Sequence, residues 1–475
     1  MKWRDSSRNA GLHRRGAPVY SAAMEIRPLP DPLIRYAEAE IARLQVPGAA
    51  AAVLHEGVIY AGGVGITNVE HPLPVTAETL FQIGSTSKTF TATALMALVE
   101  AGRVDLDAPV RAYLPWFALQ SEDDAARLTV RDLATHHAGY VGDYFKDTGR
   151  GDDAIGAIVR KMANSPQLVP AGYTFSYSNA AFYVLGHIVE TVHGRPFEQV
   201  IRDTIFEPLG MDRSFYFPEE AITHRVAAGH IVTTEGPKVA RPWNTPRSIA
   251  PGGGVTSNVI DQARYAALHL GLAPDANVLR RGTVAAMQQV QRPAGSMCES
   301  IGISWMLDSA GGGERLVKHG GATNGHLSSF ELVPGKGFAV TVLTNSDTGR
   351  ETRQTIADRC QEHFLGFAKP EPVAVEPPVS VAEYAGTYQS VLARLEVRTE
   401  NGGLTVTDTS PERGFAERRH RPIPLPPAQL AFTGADATAV LDGPRKGERA
   451  EFLRDAEGRI AWMRWDGRIA RRIEP

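Results

Sequence analysis

Strand-forming and helix-forming patterns alternate along this chain in an order that restricts its fold more than any other feature. Apolar runs typical of strands occur at residues 49–64 and again at residues 316–343, whereas the stretch from about residue 85 to residue 270 is helical in pattern. Two strand blocks that flank a helical middle are most simply joined in one sheet, because each apolar strand must be covered by its neighbours. We therefore predict an α+β fold: a mixed, mainly antiparallel sheet flanked by helices, with an inserted α-rich lobe and a cleft where the two meet.

A proline-rich segment divides the chain. Four prolines fall within residues 370–378, which predicts a stiff linker. Alternating runs after it, at residues 395–408 and 452–473, predict a small antiparallel β-barrel. At the other end Met24 is an alternative start. The predicted units are a disordered leader, the principal domain, the linker and the barrel, at residues 1–23, 24–366, 367–380 and 381–475.

Composition excludes several classes of protein. With 43% hydrophobic and 22% charged residues, the 475-residue chain is too apolar to be disordered. A formal net charge of −3 without a basic stripe argues against a nucleic-acid partner, and no apolar run approaches the ~20 residues of a membrane span. Two cysteines are too few for a disulfide scaffold or a zinc knuckle. Because no apolar export segment follows the N-terminal basic residues, the predicted location is cytoplasmic.

The segment Ser85-Thr86-Ser87-Lys88 is the strongest candidate for chemistry. A serine hydroxyl is a poor nucleophile until a neighbouring base takes its proton. If a helix begins near Ser85, then Ser85 and Lys88 lie on one face, one turn apart, and the helix N-terminus and a dry cleft favour the neutral lysine that acts as a base. The chain has one Ser-x-x-Lys, against about 0.4 expected by chance from its 22 serines and 9 lysines. A solvated surface pair has the same spacing and is the alternative.

Tyr177-Ser178-Asn179 is the second candidate motif. A tyrosine beside a lysine can relay a proton to a leaving group, and an asparagine amide can orient the lysine or a substrate carbonyl. A core tyrosine followed by a turn asparagine would give the same pattern.

His319-Gly320-Gly321 is the third candidate, because it ends an apolar strand. The glycines leave room for a substrate along that strand, and the backbone N–H of Ala322 can join that of Ser85 as an oxyanion hole. A glycine-rich strand corner is the alternative.

These three motifs, in this order, resemble the serine β-lactamase and penicillin-binding-protein-like superfamily. The most similar branch is that of the class C β-lactamases, esterases and D-aminopeptidases, and the resemblance covers about residues 30–365. The segment Tyr384-Ala385-Gly386-Thr387-Tyr388 resembles the start of the lipocalin-like barrel appended to some of these peptidases. Relatives that hydrolyse β-lactams usually carry a lysine where this chain has His319.

The sequence therefore predicts a serine hydrolase that acts through an acyl-enzyme, a peptidase or amidase on short peptides, including those with D-amino acids. Ser85 is the predicted nucleophile, Lys88 its base and Tyr177 the proton donor, whereas Asn179 and the segment 319–321 are predicted to bind substrate. A carboxylesterase or a β-lactamase on the same site, and a non-catalytic peptide- or peptidoglycan-binding protein, are the alternatives. No metal or organic cofactor is expected, and the expected partners are a small-molecule or short-peptide substrate and, as an option, further copies of the chain.

Overall fold

A computed structural model describes most of the chain. The described residues are 24–273, 276–368, 372–376, 380–400, 402–410, 425–443 and 445–474. The predicted leader, residues 1–23, lies outside them, as do parts of the predicted linker.

One large sheet organises the first part of the chain. Its strands, and four that form two separate two-stranded sheets, are numbered β1 to β13 and span Ile26–Pro28, Gly48–His55, Val58–Gly65, Phe81–Gln82, His230–Thr233, Gly236–Val239, Thr256–Ser257, Arg292–Pro293, Ser300–Ile301, Met306–Ser309, Arg315–Ala322, Leu327–Val333 and Phe338–Thr344. Nine of these strands form the sheet, in the order β1-β3-β2-β13-β12-β11-β10-β9-β8. The β1–β3 pair is parallel, whereas β2 and β13 pair antiparallel at the centre. The first and last strand blocks therefore share one sheet, as the sequence predicts.

Helices cover both faces of this sheet. They are numbered α1 to α12 and span Asp31–Arg43, Ser87–Glu100, Glu122–Arg127, Val130–Ala134, Ala154–Lys161, Asn179–His193, Phe197–Ile201, Pro218–Ala221, Ala250–Gly253, Val259–His269, Arg281–Met287 and Gly349–Leu365. Within the described ranges no helix combines the length and the apolar character needed to span a bilayer.

The alternation of side chains along β2 shows how the sheet separates two cores. Ala49, Ala51 and Val53 pack with residues of α1 and α12 on one face. The alternate residues, Ala50 and Leu54 among them, pack on the other face with the helical lobe. Because successive residues of a strand point to opposite faces, a strand buried on both sides reads as a continuous apolar run.

The helix α2 lies at the centre of the lobe and is buried on nearly all of its faces. Its threonines are accommodated because their hydroxyls have partners: Thr91 donates to the carbonyl oxygen of Pro251 at 2.7 Å, and Thr93 pairs with Tyr265 at 2.8 Å. A helix held in this way is a rigid support for the side chains at its N-terminal end.

The C-terminal part of the chain is a closed barrel of eight antiparallel strands. The strands are numbered β14 to β21 and span Gly386–Gln389, Arg394–Glu400, Gly403–Asp408, Ala428–Phe432, Ala437–Ala439, Arg449–Arg454, Ile460–Trp465 and Arg468–Glu474. Its interior is apolar and includes Tyr388, Phe452 and Met463. Closure pairs β14 with β21, so that none of the eight described strands is left at a free edge.

Candidate active site

Ser85 lies in one turn of 3-10 helix, Gly84–Thr86, that leads from β4 into α2. Gly84 has a φ of +52°, and a Cβ on it would lie 2.6 Å from the amide nitrogen of Ala322 in β11. Only glycine permits both this backbone angle and so close an approach. The turn that carries Ser85 is therefore packed directly against the backbone of Ala322, the second predicted oxyanion donor.

Lys88 is fully buried in the first turn of α2. Its Nζ donates to Asn179 Oδ1 at 2.7 Å and to the carbonyl oxygen of Gly252 at 2.6 Å, and it lies 2.9 Å from Ser85 Oγ. A neutral amine has two N–H donors and one lone pair. Two carbonyl acceptors occupy both donors of such an amine and leave its lone pair for the Ser85 hydroxyl.

The surroundings of Lys88 favour this neutral form. Burial lowers the pKa of Lys88 well below its ordinary value, and the positive charge of Arg468 lowers it further, whereas the carboxylate of Asp143 opposes the change. Burial also holds the pKa of His136 well below its usual range and lowers that of His319 to about 3. Both histidines are therefore neutral at pH 7 and place no positive charge beside Lys88.

Tyr177 lies beside this pair. Its ring centroid is 5.1 Å from Lys88 Nζ, and the ring stacks on that of His136 at 4.4 Å. Burial raises the pKa of Tyr177 above its ordinary value, while a hydrogen bond with the Ser85 side chain acts in the opposite direction. The phenol is consequently protonated at pH 7, as a proton donor must be.

Asn179 connects Lys88 to a carboxylate. Its Oδ1 accepts from Lys88, and its Nδ2 donates to Asp143 Oδ1 at 2.7 Å. Because an ionised carboxylate accepts hydrogen bonds and donates none, this contact fixes which end of the Asn179 amide faces the lysine. The residue stands at the start of α6, whose N-cap is Ser178. Asn179 thus bonds Lys88 through one end of its amide and Asp143 through the other.

The side chain of His319 is closed to solvent. It is 1% exposed, with Nδ1 2.7 Å from the carbonyl oxygen of Gly320, and its buried Nε2 has no hydrogen-bond partner among the described residues. Its ring centroid lies 6.3 Å from that of Tyr177. The His319 side chain, predicted to bind substrate, is thus not accessible in this structure, although it lies beside Tyr177, the predicted proton donor.

The two glycines after His319 lie close to other parts of the chain. A Cβ on Gly321 would lie 1.9 Å from the carbonyl oxygen of Ile83 and 2.8 Å from the amide nitrogen of Ser85. A Cβ on Gly320 would lie 3.1 Å from Arg353 Nη1. The space on the Cβ side of Gly321 is therefore taken by the turn that carries Ser85, and substrate binding by the two glycines stays a prediction.

Comparison with known proteins agrees with this geometry. The sequence model of the Beta-lactamase family matches residues 33–362. The chain belongs to the β-lactamase family. It is 35% identical over 361 residues to penicillin-binding protein 4 of Amycolatopsis lactamdurans, covering 72% of this chain and 93% of that protein.

Solved structures of family members extend the similarity into the barrel. The crystal structure of SurE is 25% identical with a TM-score of 0.73, and the match covers 93% of this chain and 98% of that one. An octameric penicillin-binding protein homologue from Pyrococcus abyssi is 27% identical with a TM-score of 0.63, over 89% of this chain and 96% of that one. These matches place the chain in the β-lactamase and penicillin-binding-protein-like superfamily of serine hydrolases, as its motifs predict.

Two charged residues of the site in this β-lactamase-family chain, Asp143 and Arg468, are not predicted from the sequence. Asp143 stands in a loop with no motif around it, as one of 53 acidic residues. Arg468, which bonds it, comes from the barrel 325 positions later in the chain. No spacing rule relates residues so far apart, so only the folded structure brings them together.

The close approach at Gly321 gives a test of the turn's packing. We expect Gly321→Ala to displace Ser85 or β11, lowering the free energy of unfolding by about 1–3 kcal/mol and slowing the reaction of Ser85 with a fluorophosphonate. Urea unfolding and labelling rates measure the two effects. The matched control is Gly320→Ala, whose Cβ meets the end of the long Arg353 side chain and should cost less. Equal effects of the two substitutions would contradict this account.

Proposed function

We propose that the protein is a serine hydrolase that forms an acyl-enzyme on Ser85 and cleaves short peptides or amides, including those with D-amino acids. The observation that carries the proposal is the set of partners around Lys88. Two carbonyl acceptors, at 2.6 and 2.7 Å, hold the amine 2.9 Å from the Ser85 hydroxyl oxygen, and burial lowers the pKa of Lys88 so that the neutral form, which can take the serine proton, is favoured.

Each step of the proposed reaction uses a group that lies on or beside the turn that carries Ser85. Ser85 Oγ attacks the substrate carbonyl while Lys88 takes its proton, and the amides of Ser85 and Ala322 stabilise the oxyanion. Tyr177 protonates the leaving amine and regains a proton from Lys88. In deacylation water attacks the ester carbonyl, gives its proton to the Tyr177–Lys88 pair, and Ser85 leaves with a proton returned from Lys88.

The state of Tyr177 and His319 favours amides over the alternatives. An amine leaving group must be protonated to depart, and the phenol of Tyr177, whose pKa burial raises, keeps that proton at pH 7. Activated esters need no such help, so esterase activity is expected as well. A β-lactam carries a carboxylate, but the neutral His319 offers it no charge. β-Lactamase activity is therefore the weaker candidate.

A fluorophosphonate probe and a substrate panel test the proposal. We expect labelling that maps to Ser85, rapid p-nitrophenyl ester hydrolysis, measurable cleavage of short L- or D-peptide amides, and poor turnover of a chromogenic cephalosporin. Efficient cephalosporin hydrolysis with no amide cleaved would assign a β-lactamase. A folded protein that resists the probe and binds peptides unchanged would be a binding protein.

The pH dependence follows from the lowered pKa of Lys88. Only the neutral amine accepts the Ser85 proton, so kcat/KM should rise with pH through the pKa of Lys88 and then level off. Because burial depresses that pKa, the plateau should be reached well below pH 10.5, the ordinary value for lysine. Initial rates of p-nitrophenyl ester hydrolysis measure the profile, with Ser85→Ala subtracted as the background. We call the rising part of this profile, at low pH, its acid limb. An acid limb centred near pH 10.5 would contradict a buried, neutral lysine.

Assembly with further copies of the chain and a cytoplasmic location stay predictions. The octameric state of the Pyrococcus abyssi homologue supports the first of them.

A further inference from the structure

The barrel reaches the predicted catalytic groups through one hairpin. The turn between β20 and β21 lies against the segment that leads to Tyr177: the Tyr177 amide donates to the carbonyl oxygen of Gly467 at 2.8 Å, and the Ile469 amide donates to Ser176 Oγ at 3.3 Å. The preceding strand adds a side-chain anchor, because Arg464 Nε donates to the carbonyl oxygen of Phe175 at 3.0 Å. The hairpin is thus bonded to the backbone on which Tyr177 stands.

Arg468 projects from this hairpin into the site. Its Nε donates to Asp143 Oδ2 at 2.7 Å, and its guanidinium carbon lies 4.9 Å from the centroid of the Tyr177 ring. Asp466 steadies it at 3.3 Å and is itself bonded to Arg350 of α12 at 3.1 Å. The exposed fraction of the side chain is 20% for Arg468 and 7% for Asp143. At that burial a bidentate ion pair has a defined geometry and is poorly screened by salt.

The pair continues into the predicted base. Asp143 Oδ2 accepts from Arg468 Nε, and Asp143 Oδ1 accepts from Asn179 Nδ2 at 2.7 Å and from Arg468 Nη2 at 3.4 Å. Asn179 in turn accepts from Lys88. From Arg468 to Lys88, each side chain is therefore held in place by a hydrogen bond to the next one. The amide of Asn179 therefore cannot rotate without breaking a charge-assisted bond to Asp143.

We propose that Arg468, supplied by the barrel, is a positioning residue that acts through Asp143 and Asn179 to hold the amine of Lys88 against Ser85. This inference rests on the proposed function. If it holds, the hydrolase has all the residues that position its base only when the barrel is docked. The barrel is then part of the active site, and its hairpin is needed for the chemistry.

The charges of the pair give the proposal a signature that loss of folding does not produce. Arg468 lowers the pKa of Lys88 and Asp143 raises it. The other titratable groups facing Lys88 and its partners are Tyr177, His136 and His319. Burial and neighbouring charges keep these three neutral at pH 7. The direction in which the pKa of Lys88 changes is therefore set by Arg468 and Asp143.

The experiment compares the pH profiles of p-nitrophenyl acetate hydrolysis for single variants of the full chain. We expect Arg468→Met to lower kcat/KM about 10- to 100-fold at pH 7 and to move the acid limb to higher pH. Asp143→Asn should move that limb to lower pH, in the opposite direction. Arg468→Lys, which keeps the charge but not the fork, should restore the position of the limb and only part of the rate.

Arg471→Met is the matched control, because Arg471 is an exposed arginine three residues further along β21. It should keep both the rate and the limb of the wild type. Should Arg468→Met fail to fold, as circular dichroism would show, Arg468→Lys and Asp143→Asn decide the question. An active wild type whose acid limb stays in place in every folded variant would overturn the positioning role alone. A wild type that neither turns over the ester nor reacts with a fluorophosphonate would overturn the proposed function instead.

Discussion

Ser85→Ala is expected to lower kcat/KM for p-nitrophenyl acetate by about 10⁴-fold or more and to abolish fluorophosphonate labelling. The substitution removes the one atom that forms the acyl-enzyme, and neither the Lys88 amine nor the Tyr177 phenol can take its place at the same distance from the oxyanion donors. The fold should be unaffected, because Ser85 is partly exposed and only a single oxygen is lost. Circular dichroism and thermal unfolding check that point beside the rates.

The matched control for this substitution is Ser87→Ala, two residues further along the same segment. Ser87 is fully buried, and its Oγ accepts from the Val255 amide at 3.0 Å. Its removal leaves a buried N–H without a partner, which should cost about 1–3 kcal/mol in the free energy of unfolding. Labelling of Ser85 should nevertheless persist. If Ser85→Ala kept most of the activity, or if the label mapped to another serine, the nucleophile would be wrongly assigned.

Local patterns in the sequence predict most of this fold because its elements are long and strongly apolar. The strands of the central sheet read as runs such as Phe338–Thr344, and the helix α12 begins at Gly349 and is capped by Gly366. The strands β8 and β9 gave no such signal, since two residues are too few to show a period. Because β9 pairs with β10 and β8 with β9, their place in the sheet is set by this pairing and not by their own composition.

Some contacts of the candidate site are also predictable from local patterns, and others are not. The Ser85–Lys88 spacing is one helical turn, so the contact between them is predictable from local geometry alone. The closed environment of His319 is not predictable in this way, because flanking glycines indicate space and give no information about what occupies it. At Gly321 the occupant is the turn that carries Ser85. The contribution of Arg468 depends on how a separate barrel docks, which no local pattern encodes.

Lys88→Met is expected to be nearly as damaging as Ser85→Ala, with a loss of about 10³-fold or more in kcat/KM. Methionine fills the buried volume with an unbranched side chain, but it has no lone pair at the Ser85 hydroxyl. Because the serine and the lysine act as one unit, the double variant should be no worse than either single one. The same ester assay and labelling reaction measure all three variants.

The control for Lys88→Met must reproduce its cost to the fold without touching the chemistry. Methionine leaves two buried acceptors, Asn179 Oδ1 and the carbonyl oxygen of Gly252, without the donor they have in the wild type. Thr91→Val, in the same helix, removes the donor to the carbonyl oxygen of Pro251 while keeping the side-chain shape. Both variants should be destabilised, by about 1–3 kcal/mol for each acceptor left unpaired, yet Thr91→Val should keep a rate close to that of the wild type.

A folded Lys88→Met protein within tenfold of the wild-type rate would show that another group takes the serine proton. In that case the neutral amine at 2.9 Å from Ser85 Oγ would be a structural contact and not a base.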